Sequence, residues 1–169
     1  MRDKPDECKE VYLFTNLMPN HFYLLAIGLD ENSNALVFDE ATSADLEEFK
    51  NILNLYCNKY QTGIWMYRDE LLESELRGCR IMTLESRSKP DTLAIIIDSL
   101  LSKKKIQIKS SLVLKRKLKQ FRGQNPTPEI SALYCAVEKL QGKLNGTRSD
   151  RKPLVSVSRP SSGWLRSWS

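Results

Sequence analysis

A chain of 169 residues is long enough to bury one hydrophobic core, and 41% apolar with 28% charged residues is globular composition, which excludes disorder throughout. The net charge of +5 is unevenly divided: residues 1–102 carry 10 Lys/Arg against 18 Asp/Glu, a net −8, and residues 103–169 carry 16 against 3, a net +13. The longest apolar runs, such as Leu93–Ile97, are far shorter than the roughly 20 residues of a membrane span, which excludes a membrane protein of helical type.

In chain order, Glu10–Thr15 and His21–Gly28 are β-prone runs, with Asn16 to Asn20 expected as the loop between them. Ala35–Phe38 follows a polar turn as a third strand, so a three-strand meander is predicted. Ser43 is the expected cap of a helix in which Leu46, Phe49, Leu53 and Tyr56 recur at helical spacing. Gly63–Tyr67 reads as a buried strand, Asp69–Arg77 as a short helix closed by Gly78, and Cys79–Leu84 as a strand. Pro90 opens the next helix, and Ile106–Ile108 is a brief strand. Ser110 or Ser111 is expected to cap Leu112–Phe121, and a last helix ends near Leu144. The fold class implied is α/β: a mixed sheet of a three-strand meander plus further strands, flanked by helices. Three regions are expected: an extension over 1–9, an α/β domain over 10–144, and a flexible basic Ser/Arg/Pro tail over 145–169 that carries Trp164 and Trp168.

Met1–Glu7 is polar and lacks the apolar segment of a secretory signal, so a cytoplasmic location without disulfides is expected. Cys8, Cys57, Cys79 and Cys135 are scattered, and His21 is the sole histidine, too few clustered ligands for a zinc site. His21 reads as a surface or packed residue, because no neighbouring residue supplies an orienting partner. Asp39 and Glu40 read as strand-end solvation or a helix cap, and Asp69 as a helix N-terminal acid favoured by the dipole.

The order of elements resembles the RNase H-like nuclease domain of phage terminase large subunits. The phrases that carry the resemblance are Phe38-Asp39-Glu40 at the end of the third strand, Glu75-Leu76-Arg77-x-Cys79, Lys89-x-Asp91-x-x-x-x-Ile96, and Pro128-Glu129-Ile130-Ser131-Ala132-Leu133-Tyr134, spread over residues 10–144. No Gly-x-x-x-x-Gly-Lys is present, so the family's ATPase motor is not expected within these 169 residues. The resemblance implies acids that hold two divalent ions, Mg²⁺ or Mn²⁺, on a scissile phosphate. At the matching positions the first strand offers Thr15 and Asn16, the last helix offers Ser131, and only Asp69 after the middle strand is acidic; Asp69 is the candidate catalytic and metal-ligating residue. A degenerate acidic site is therefore expected, with no cofactor. If the site were alive, the chain would be a Mg²⁺- or Mn²⁺-dependent endonuclease.

The basic segment points to nucleic acid. Lys103, Lys104, Lys105, Lys109, Lys115, Arg116, Lys117, Lys119 and Arg122 are nine cations in a stretch without an acid, where a solvated helix mixes signs. No aromatic repeat accompanies them, which favours backbone contacts with double-stranded DNA over base readout. A DNA-binding protein of viral DNA packaging or processing is the expectation. The alternative is a non-enzymatic protein whose basic C-terminal part and Trp-bearing tail engage an acidic protein or a viral or phage assembly.

Overall fold

A computed structural model describes residues 1–123 and 125–144. Strands β1 (Cys8–Met18), β2 (His21–Asp30) and β3 (Ala35–Ser43) form the antiparallel meander. Three short strands extend it in parallel: β4 (Ile64–Tyr67) on β1, β5 (Ile81–Leu84) on β4, and β6 (Ile106–Ile108) on β3. The sheet order is β5-β4-β1-β2-β3-β6, a mixed sheet as the sequence implies.

Strand alternation divides the core in two. Leu13, Leu17, Leu24 and Ala26 pack with Phe49 and Leu53 of α1 (Leu46–Tyr60), joined by Leu72 and Leu76 at α2 (Glu70–Glu75). Phe14, Leu25, Ile27 and Leu29 face α3 (Pro90–Ser102), α4 (Val113–Gln120) and α5 (Pro128–Leu144), which contribute Leu93, Leu114 and Leu133. Helix α5 runs antiparallel to β1, since Glu129 reaches His21 beside the end of β1 and Lys143 reaches Tyr12 near its start. Gly28 has no room for a side chain: a Cβ there would stand 2.4 Å from the Cys8 sulfur.

Several local expectations are corrected. The loop expected over Asn16–Asn20 contracts to Pro19-Asn20, because β1 runs to Met18, which pairs with His21; Asn20 turns the chain at φ 62°. The cap of α1 is Asp45, whose carboxylate accepts the Glu48 N–H at 2.9 Å, while the Ser43 hydroxyl braces the turn by accepting the Asp45 N–H. Neither Ser110 nor Ser111 caps α4; Leu112 occupies that position and brings no capping side chain. Pro90 does begin α3, and Gly78 follows α2 at φ 96°.

One irregularity positions the site. Ala26 pairs with Asp39 and Ile27 with Val37, so Phe38 is an extra residue in β3. The bulge turns both Phe38 and Asp39 toward α1 and rotates Glu40 to the opposite face, under α4. Among the described residues no helix is long and apolar enough to cross a membrane. The expected tail, with Trp164 and Trp168, lies outside the described residues.

Candidate nucleic-acid interface and the strand-end carboxylates

Ligands of open α/β sheets gather beyond the carboxyl ends of the strands, and each acid there has an identifiable engagement. Asn16 lies on the face of β1 that meets α5, while Thr15 points the other way, is buried, and donates its hydroxyl to the Tyr23 carbonyl at 2.7 Å. Asp69, after β4, is exposed. Its Oδ1 accepts the N–H groups of Leu71 and Leu72, both at 3.1 Å, and Glu73 reaches back to the Asp69 N–H at 3.0 Å. This reciprocal capping box starts α2.

Two carboxylates of α5 meet the sheet, Glu129 at its first turn and Glu138, which accepts the Tyr67 hydroxyl of β4 at 2.9 Å, while Ser131 is only half-buried. Glu129 is 1% exposed; its Oε2 lies 3.0 Å from His21 Nε2, and its Oε1 has no partner among the described residues. The orienting partner of His21 thus exists, but 108 residues away along the chain. This pair makes a stability prediction. His21→Ala leaves a buried carboxylate without its donor and should lower stability by about 2 kcal/mol, less than for a fully buried pair because the imidazole is half-exposed. Glu129→Leu removes the unpartnered oxygen together with the charge and should be neutral or stabilising. Thermal melts of the two variants check the contrast, and equal losses would contradict it.

Asp39 accepts the Tyr56 hydroxyl at 2.9 Å and the Arg2 N–H at 2.8 Å. Glu40 accepts the Tyr23 hydroxyl at 2.7 Å, the Leu114 N–H at 3.2 Å, and the Val113 N–H. An acid on β3 therefore does for α4 what neither serine does. Glu85 is exposed beside Arg68 at 3.8 Å. Among the described residues, no three His, Cys, Asp or Glu side chains converge into a group that could hold a metal ion. Hard divalent cations require several carboxylate oxygens at once, so these strand-end residues do not fit a two-metal centre.

Burial, reinforced by a carboxylate partner, pushes the hydroxyls of Tyr23, Tyr56 and Tyr67 well above the ordinary tyrosine range. The folded state favours the protonated phenol, so this stabilisation is complete below about pH 10, the unfolded value, and is lost as pH rises beyond it. Denaturation midpoints should be flat between about pH 8 and 10 from this source and fall above that, with these three tyrosines ionising only as the protein unfolds. Ionisation of Tyr23, Tyr56 or Tyr67 in folded protein near pH 10, read as the absorbance lost in the corresponding Tyr→Phe variants, would refute it.

The basic segment surrounds β6 and α4. Lys103 and Lys104 follow α3, Lys105 and Lys109 bracket β6, Lys115, Arg116, Lys117 and Lys119 lie on α4, and Arg122 lies just past it. Leu114 and Leu118, four residues apart, hold the inner side of α4 against the core. Lys103, Lys104, Lys109, Arg116, Lys119 and Arg122 are exposed, and the other three are half-buried. None of the nine forms an ion pair with a described acid.

Solved structures share this arrangement. The large terminase of thermophilic bacteriophage D6E aligns with a TM-score of 0.65 at 13% identity, over 82% of this chain and 42% of that one. The fold is the RNase H-like fold of large-terminase nuclease domains. The nuclease domain from phage G20c aligns with a TM-score of 0.58 at 13% identity, over 80% of this chain and 84% of that chain. That of the phage SPP1 g2p protein, with bound Mn, aligns at 0.52 with 18% identity, over 78% and 86%. The chain thus spans less than half of the D6E terminase but most of the isolated nuclease domains. No protein-family model matches the chain, and no curated protein matches it in sequence.

Proposed function

We propose that this chain is a DNA-binding protein on a terminase-nuclease fold, acting in viral DNA packaging or processing without cutting DNA by a two-metal mechanism. The observation that carries the binding is the set of nine cations from Lys103 to Arg122, free of ion pairs with any described acid and held in one frame by β6 and α4. Such a surface gains from neutralising phosphates whatever the base sequence.

The position of the strand-end acids supports the second half of the proposal. Two-metal hydrolysis needs carboxylates that neutralise both ions and hold them about 4 Å apart. Here Asn16 is neutral, Asp69 is engaged as a helix cap, and Glu129 is buried against His21.

The experiment incubates supercoiled plasmid with the protein and Mn²⁺, beside a gel-shift of duplex DNA at low salt. The expected outcome is a shift without nicking, and an Asp69→Ala variant that differs only by the loss of a cap, about 1 kcal/mol of stability. Nicking that disappears in Asp69→Ala would overturn the non-cutting half. Absence of a shift would overturn the DNA-binding half.

A further inference from the structure

The Lys103–Arg122 segment does not include every cation on this side of the sheet. Beyond the ends of β4 and β5, at the edge opposite β6, lies an open cleft of about 600 Å³ lined by Arg68, Glu85, Arg87, Ser88, Glu138 and Lys139, among others. Its β5–α3 loop is pinned in place. Glu138 on α5 accepts the Tyr67 hydroxyl at 2.9 Å, the Ser86 hydroxyl at 3.0 Å and the Arg87 N–H at 3.0 Å, so both its oxygens are taken by uncharged donors.

The three cations differ in their partners. Arg68 meets Glu85 at 3.8 Å with both side chains exposed, a pairing that water screens. Arg87 and Lys139 have no carboxylate partner among the described residues. The Lys139 ammonium stands 4.0 Å above the ring of Trp65, which places it without neutralising it. With Arg68 set against Glu85, the cleft carries Arg87 and Lys139 against the single Glu138 carboxylate, a net positive charge on open, polar walls that suits the oxygens of a strand passing through it better than an enclosed apolar ligand.

We propose that this cleft holds a phosphodiester group of DNA, as a second backbone contact separate from α4; the inference rests on the DNA-binding reading above. With strands about 4.8 Å apart, edge strands β5 and β6 are about 24 Å from each other, so no single phosphate touches both sites. The two contacts therefore add, and each should be visible in the salt dependence.

The test compares three proteins on one short duplex: wild type, Arg87→Gln/Lys139→Gln, and a control, Lys9→Gln/Lys50→Gln, that removes equal charge elsewhere. Arg87→Gln keeps the backbone N–H that Glu138 holds, and unchanged melting temperatures verify the fold. The cleft variant should lower the slope of log affinity against log salt by about 2 and weaken binding at least about tenfold near 0.1 M salt, with the control close to wild type. Equal effects of the cleft and control variants would overturn the cleft while leaving the DNA-binding reading intact. Wild-type protein that fails to bind the duplex at all would overturn that reading, and the cleft with it. A parallel titration with inorganic phosphate follows the Trp65 indole N–H by NMR. A response to free phosphate combined with an unchanged duplex slope in the cleft variant would assign the cleft to a small anion and overturn the nucleic-acid proposal.

Discussion

Raising salt from about 50 to about 200 mM should weaken duplex binding at least about 500-fold through the Lys103–Arg122 segment alone. If five of its nine cations each neutralise one phosphate, the segment contributes about −4.5 to the slope of log affinity against log salt, and the cleft adds to this. A fourfold change in salt then corresponds to about 2.7 decades of affinity from the segment. Five is chosen below nine because Lys105, Lys115 and Lys117 are half-buried and the remaining six are spread around β6 and α4. Replacing Lys115, Arg116, Lys117 and Lys119 with Gln should lower the slope by about 1.8, from the exposed Arg116 and Lys119, since each lost contact removes about 0.9. Fluorescence anisotropy at several salt concentrations measures both quantities. Because the contacts are to backbone, duplexes of unrelated sequence should give the same slope and nearly the same affinity. A shallow slope, or one that four substitutions on α4 leave untouched, would mean that these cations face something other than phosphate.

Glu40→Ala should destabilise the domain by about 3 kcal/mol and weaken DNA binding at the same time. Among the described residues Glu40 is the side chain that caps α4, accepting the N–H groups of Val113 and Leu114. Loss of a cap costs about 1 kcal/mol. The larger part comes from Tyr23, which is fully buried and donates its hydroxyl to the same carboxylate. Without Glu40 that hydroxyl is left in the core without this acceptor, at a cost of about 2 kcal/mol. Glu40→Gln keeps an acceptor in place and should lose about 1 kcal/mol, mainly the interaction of charge with the helix dipole. The basic helix has eight residues, too short to persist without tertiary support, so releasing its N-terminus also loosens Lys115 to Lys119. Urea titration and anisotropy on the same two variants test the linkage. A Glu40→Ala protein of wild-type stability would show that α4 is held by its leucines alone.

Which elements exist, and in what order, was legible in the sequence because each depends on local chemistry. β-Prone apolar runs in β1 to β3, a 3.6-residue stripe from Leu46 to Tyr56, Pro90 at a helix start and Gly78 at a helix end act through neighbours within a few positions. The basic surface was legible for the same reason, since an acid-free run of cations needs no fold to be seen. Asp69 as the cap of α2 also follows from its place before an amphipathic turn.

The tertiary structure alone decided the partnerships of the carboxylates. His21 meets Glu129 across 108 residues, Tyr67 meets Glu138 across 71, and Glu40 reaches α4 across 73, separations over which sequence periodicity carries no information. A single extra residue in β3 reversed the faces of the strand residues beyond it: without the bulge at Phe38, Glu40 would point toward α1, and α4 would lack its cap. Leu112, not Ser110 or Ser111, holds the cap position of α4, and the Glu40 carboxylate of β3 accepts the Val113 and Leu114 N–H groups. The Arg87 and Lys139 cleft was equally invisible, since its two cations stand 52 positions apart and only the passage of α5 along β4 brings them to one wall.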